Sequence, residues 1–93
     1  MPALLTQPEI DEALDHLPGW AQEGTALRRA VKAPSFLEGI DLVHRVAEVA
    51  EEMNHHPDVE LSWGKVTLKL RSHDVNKVGP RDYALAQRVD ALA

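Results

Sequence analysis

The stretch that decides the fold is "DVELSWGKVTLKLR", residues 58–71. Val59, Leu61 and Trp63 alternate with Asp58, Glu60 and Ser62; beyond Gly64-Lys65, Val66, Leu68 and Leu70 alternate with Thr67, Lys69 and Arg71. Successive strand side chains point to opposite faces, so each half reads as a strand with one apolar and one polar face. A two-residue turn at Gly64-Lys65 closes them into an antiparallel hairpin. With Trp63 across from Val66, Leu61 meets Leu68 and Val59 meets Leu70 on the apolar face. On the other face Glu60 meets Lys69 and Asp58 meets Arg71, opposite charges across the pair. A slip by one residue would send every apolar side chain to the polar side. Carried two residues further, this register sets His56 across from His73. Trp63 is expected in the core.

Upstream, Ser35 to Glu38 reads as a capping box that opens a helix over about 36–53. Phe36, Ile40, Val43, Ala47 and Ala50 recur there at helical spacing, widened by Leu37, Val46, Val49 and Met53, so the helix is expected to lie across a sheet. It stops at Asn54-His55-His56-Pro57, because proline disfavours helical backbone in the residue before it. Thr6 to Glu9 is another capping box, with Pro8 in the first turn and Ile10, Ala13, Leu14 and Leu17 following. "LPGW" at 17–20 ends that helix, and two short strands near 20–23 and 26–32 turn at Gly24-Thr25. After a loop at 74–79, Pro80 starts a helix to about Leu92, with Leu85, Val89 and Leu92 on one face and Asp82 in the first turn. The order is helix-strand-strand-helix-strand-strand-helix. It predicts an α+β fold: a four-stranded antiparallel sheet with three helices on one face, one domain over 1–93.

Apolar residues make up 44% of the 93 and charged residues 27%, a globular composition. Without cysteine there is neither a disulfide framework nor a thiolate metal site. No apolar run is long enough to cross a bilayer, and the opening residues lack a basic-then-apolar signal, so no membrane and a cytoplasmic location are expected. A net charge of −5 with ten scattered basic residues argues against nucleic acid, whose phosphates need clustered Lys and Arg.

Chemistry concentrates in "EEMNHHPD", 51–58. His16, in the last turn of a helix, and His44, alone on another, read as incidental. His55, His56 and His73 differ, because strand pairing gathers at least two of them. Imidazoles with an ordinary pKa near ~6.5 can take and give protons at neutral pH. General acid–base catalysis ranks first, a three-histidine zinc site second, and an incidental cluster close behind. Against zinc, neighbouring extended residues point apart, and the H-E-x-x-H spacing is absent.

With these residues in place, the chain resembles the pterin-4a-carbinolamine dehydratase family. The family pattern runs from an acidic residue (Glu51) through His55-His56-Pro57, an aromatic (Trp63) and a histidine (His73) to an aspartate (Asp82), five elements over 32 positions. The resemblance implies dehydration of 4a-hydroxytetrahydropterin, such as 4a-hydroxytetrahydrobiopterin, to quinonoid dihydropterin. That reaction recycles tetrahydrobiopterin for aromatic amino-acid hydroxylases, one of which would be the functional partner. It implies His55 and His73 as exchanging acid and base, with His56 chiefly binding the pterin. Asn54 and the backbone around Ser72 and Asp74 would bind substrate, and Glu51 and Asp82 would orient imidazoles. Pterin is the substrate, and no metal or other cofactor is implied. A homodimer or homotetramer, sheets edge to edge and helices packed between, is also implied. The alternative is a non-catalytic binding or assembly-factor member of the same fold.

Overall fold

Thr6 starts the chain's first helix by accepting the Glu9 N–H at 3.3 Å, while the Glu9 carboxylate accepts the Thr6 N–H at 2.9 Å. This reciprocal box satisfies two otherwise orphaned donors. The computed structural model describes residues 4–72 and 77–92. Within them lie α1 (Gln7–Asp15), β1 (Ala21–Glu23), β2 (Ala26–Lys32), α2 (Phe36–Met53), β3 (Asp58–Ser62), β4 (Lys65–Leu70) and α3 (Pro80–Leu92). The strands form one antiparallel sheet in the order β1-β2-β4-β3, and the fold is α+β in the expected element order. At Ser35 only half of the expected box forms. Its hydroxyl accepts the Glu38 N–H at 3.1 Å, but the Glu38 carboxylate meets that same hydroxyl at 3.0 Å.

The hairpin differs from expectation by two residues. Ser62 pairs with Lys65, Leu61 with Val66, Val59 with Leu68 and Asp58 with Lys69, so Trp63-Gly64 is the turn. Gly64 has φ +91°, whereas Trp63 does not take a positive φ. A turn with positive φ only at its third position selects glycine there, which decides the register. A two-residue shift leaves each side chain on its face. Trp63, however, moves from the expected core to the turn tip, where it is 85% exposed. Asp58 reaches Arg71 diagonally, at 3.6 Å. Continued outward, the observed register sets position 56 across from 71 instead of 73, and His73 lies outside the described residues.

Helix α2 is also turned from expectation. Gly39, Val46, Val49 and Ala50 are buried, with Leu42, Val43 and Met53 against the core; Phe36, Ile40 and Ala47 are exposed. The cause is close approach at Gly39, where a Cβ would lie 2.9 Å from Leu61 Cδ1 and 3.6 Å from Val66 Cγ2. The helix therefore touches the sheet along Gly39, Leu42, Val46 and Val49. One core joins Ile10 and Leu17, these α2 residues, Leu27 of β2, Val66, Leu68 and Leu70 of β4, and Leu85, Ala86 and Val89 of α3. Arg29, whose register partner is Leu68, lies on this apolar face and pairs with Asp90 of α3, which also accepts the Trp20 indole N–H at 2.8 Å. On the other face Arg28 lies across from Lys69, and Glu23 sits between the two cations at 3.2 and 3.1 Å.

Candidate active site

The site begins where α2 stops. Asn54 takes left-handed backbone (φ 50°, ψ 44°), its N–H donates to Glu51 O at 3.2 Å, and the His55 N–H donates to Ala50 O at 3.0 Å. This is the Schellman arrangement, which satisfies the last carbonyls while reversing the chain. It sends the two histidines to different surroundings. His55 is 5% exposed, and its Nε2 lies 2.6 Å from Oδ1 of Asp82, itself 0% exposed. His56 is exposed, with Nε2 3.1 Å from Glu51 Oε2. Each imidazole thus has its own carboxylate, one buried and one at the surface.

Asp82 reaches His55 because Pro80 starts α3 just after the chain leaves the sheet, so Asp82 falls in the first turn pointing inward. Its Oδ2 accepts the Gly79 N–H at 2.8 Å and the Ser72 hydroxyl at 3.2 Å. A buried carboxylate is tolerable only with such donors. Ser72 is buried, and its N–H donates to Lys77 O at 2.8 Å, forming an isolated bridge across the 73–76 segment. The three elements that meet are the exit of α2, the end of β4 and the start of α3.

Of the sequence-predicted residues, the structure brings His55, Asp82 and Ser72 into one buried network, with Asn54, His56 and Glu51 at its edge. His73 and Asp74 lie outside the described residues. His16 caps α1, and His44 pairs with Glu48 at 3.2 Å on the surface. Among the described residues no three His, Asp or Glu side chains group as metal ligands would. The Ser72 hydroxyl as a partner for Asp82 was missed. Its signal was present, since Ser72 falls on the Leu68–Leu70 face, where a buried hydroxyl needs an acceptor. Beside the site a recess between α2 and β3 is lined by Val43, Ala50, Glu51, His56, Pro57 and Val59.

The sequence matches the family described as pterin 4 alpha carbinolamine dehydratase over residues 3–92. The chain belongs to this family. A relative from Mycobacterium tuberculosis, named for pterin-4-alpha-carbinolamine dehydratase, is 48% identical over 90 residues, covering 97% of this chain and 96% of its own. One from Mycobacteroides abscessus with the same name is 49% identical over 88 residues, covering 95% and 94%. Among solved structures, a transcriptional coactivator/pterin dehydratase from Brucella melitensis superposes with a TM-score of 0.93 at 30% identity, covering 98% of this chain and 99% of that one. A pterin dehydratase-like protein described as a RuBisCO assembly factor in the alpha-carboxysome gives a TM-score of 0.69 at 26% identity, over 84% and 93%. Two imidazoles, each paired to a carboxylate, are groups that can donate and accept protons. No helix among the described residues is long and apolar enough to cross a membrane.

Proposed function

We propose that this chain is a hydro-lyase that dehydrates 4a-hydroxytetrahydropterin, with 4a-hydroxytetrahydrobiopterin the representative substrate, to quinonoid dihydropterin. The carrying observation is the buried His55–Asp82 pair beside the exposed His56–Glu51 pair, in a chain of this family. In the reaction the C4a–O bond breaks and its hydroxyl leaves as water, taking up a proton. The adjacent N5–H is lost to a base, and its electron pair forms the C4a=N5 bond. Positioned histidines contribute roughly 10²–10⁴-fold to such transfers. His55 and His73 exchange these protons, and His56 binds and orients the pterin. Asn54 and the backbone around Ser72 and Asp74 contact the ring, and Asp82 and Glu51 orient imidazoles. The product re-enters tetrahydrobiopterin recycling in the cytoplasm, serving an aromatic amino-acid hydroxylase. The working form is a homodimer or homotetramer. Supporting that, β3 is an edge strand whose Val59 is exposed, and α2 exposes Phe36, Leu37 and Ile40.

The decisive measurement is the absorbance-monitored dehydration rate of synthetic carbinolamine with wild-type protein and with His55→Ala and His73→Ala. Acceleration by wild type, lost in both variants, is expected; undiminished rates in the variants sink the assignment. Inhibition by a chelator would redirect it to a metal. The second reading, a non-catalytic assembly factor, is favoured by the RuBisCO-associated neighbour. Wild-type protein that leaves the spontaneous rate unchanged would select it.

A further inference from the structure

Asp82 has two oxygens and three donors. Oδ2 takes the Gly79 N–H and the Ser72 hydroxyl, at 2.8 and 3.2 Å, and Oδ1 faces His55 Nε2 at 2.6 Å. All three side chains are at least nine-tenths buried. With Oδ2 held by one backbone and one side-chain donor, the carboxylate can turn away from His55 only by breaking both. A carboxylate accepts and does not donate, so the nitrogen facing Oδ1 carries the ring hydrogen. A neutral imidazole has one N–H and one lone pair, which leaves the lone pair of His55 on Nδ1.

We propose that Ser72 is a positioning residue of the site: its hydroxyl, donating to Asp82 Oδ2, holds Oδ1 on His55 and so fixes Nδ1 as the nitrogen through which His55 exchanges protons with substrate. This rests on the dehydratase reading and adds a side-chain part to the backbone one expected of Ser72. Its N–H is engaged by Lys77 O and its hydroxyl by Asp82, so its side chain acts through a neighbour and only its backbone carbonyl is left to meet the pterin. The same carboxylate oxygen gathers donors from Ser72 and Gly79, which ties the end of β4 and the start of α3 to the ring of His55.

Nitrogen-15 NMR of imidazole-labelled, substrate-free protein at about pH 8, where an ordinary histidine is neutral, reads the tautomer directly. Wild type is expected to show His55 as the Nε2–H form. Ser72→Ala should give a mixture of tautomers, and Ser72→Thr, which keeps the hydroxyl, the wild-type pattern. In the dehydration assay Ser72→Ala should lower kcat about tenfold, the size of one lost hydrogen bond to a charged group. KM should change by less than about twofold and the pH profile should move; Ser72→Thr should restore all three. If alanine prevents folding, Ser72→Cys replaces it. A wild-type His55 bearing its hydrogen on Nδ1 overturns the proposal, as does Ser72→Ala with unaltered spectra and pH profile. Since the NMR arm uses no substrate, inactivity of the wild type would count against the dehydratase reading alone.

Discussion

At Asn54 the backbone sits in left-handed space that most L-residues enter only at a cost of roughly 1–2 kcal/mol. Asparagine tolerates this conformation, and glycine tolerates it better. Asn54→Ala is therefore expected to lower unfolding stability in urea by about 1 kcal/mol, and Asn54→Gly to leave it within about 0.5 kcal/mol. If the amide also contacts the pterin, Asn54→Gly raises KM while stability holds, which separates its two roles. The histidines make a second contrast. Removing the His55 ring leaves a buried carboxylate short of a donor, so His55→Ala should cost about 2–3 kcal/mol. His56 is exposed and its pair with Glu51 is a surface one, so His56→Ala should cost no more than about 0.5 kcal/mol. Equal losses at both positions, measured by the same urea titration, would contradict the buried and exposed placements.

Among the elements, the β3–β4 hairpin shows what alternation reveals and what it conceals. Faces repeat every second residue, so Val59, Leu61, Val66 and Leu68 were assignable, yet a two-residue register shift leaves that pattern intact. Only turn chemistry separates the alternatives. The glycine at the third turn position, with φ +91°, makes Trp63-Gly64 the turn. Gly64→Ala should accordingly cost about 1–2 kcal/mol, whereas Trp63→Ala at the exposed tip should stay within about 0.5 kcal/mol. In α2 the helix bounds were legible from Ser35 and Pro57, but the buried side was not. The apolar stripe is wider than the core, and Gly39, which contributes no hydrophobicity, marks the contact line. Gly39→Ala, whose Cβ would press on Leu61 and Val66, should lower stability by about 1–3 kcal/mol. Helix α1 carries a pH signature. The Thr6 backbone N–H, then its hydroxyl, hold the Glu9 carboxyl below its ordinary 4.5. A carboxyl lowered by folding adds stability that is complete above 4.5 and fades as pH falls through the lowered folded-state value. The gap in melting temperature between wild type and Glu9→Gln should therefore close on acidification below 4.5.

For the whole molecule, the sheet divides its work by side. The face under the helices carries the core and, at Arg29 and Asp90, an ion pair that ties β2 to α3. Nothing in the sequence joined residues 61 positions apart, although a charged residue alternating in phase with Leu27 and Val31 was a hint. The candidate-site residues were legible as a set through the resemblance to the family pattern. Their division into a buried pair and an exposed pair was not, since it depends on how α2 reverses at Asn54. At the edge, β3 and the outward side of α2 leave Phe36, Leu37, Ile40 and Val59 uncovered. If two copies join there, light scattering should give a mass at least twice the 10.3 kDa of one chain. Ile40→Glu should then give a folded monomer, and a wild type that already scatters as one chain would refute the join. Trp63 lies at the end of the same side, on the turn whose Gly64 carbonyl accepts the Ala33 N–H just before α2. The chain's two indoles consequently occupy opposite optical environments, Trp20 sealed at 7% exposure and Trp63 in water. Red-edge emission quenchable by iodide should come almost wholly from Trp63, which gives the protein an intrinsic fluorescent probe of contacts at the hairpin tip while Trp20 reports on folding.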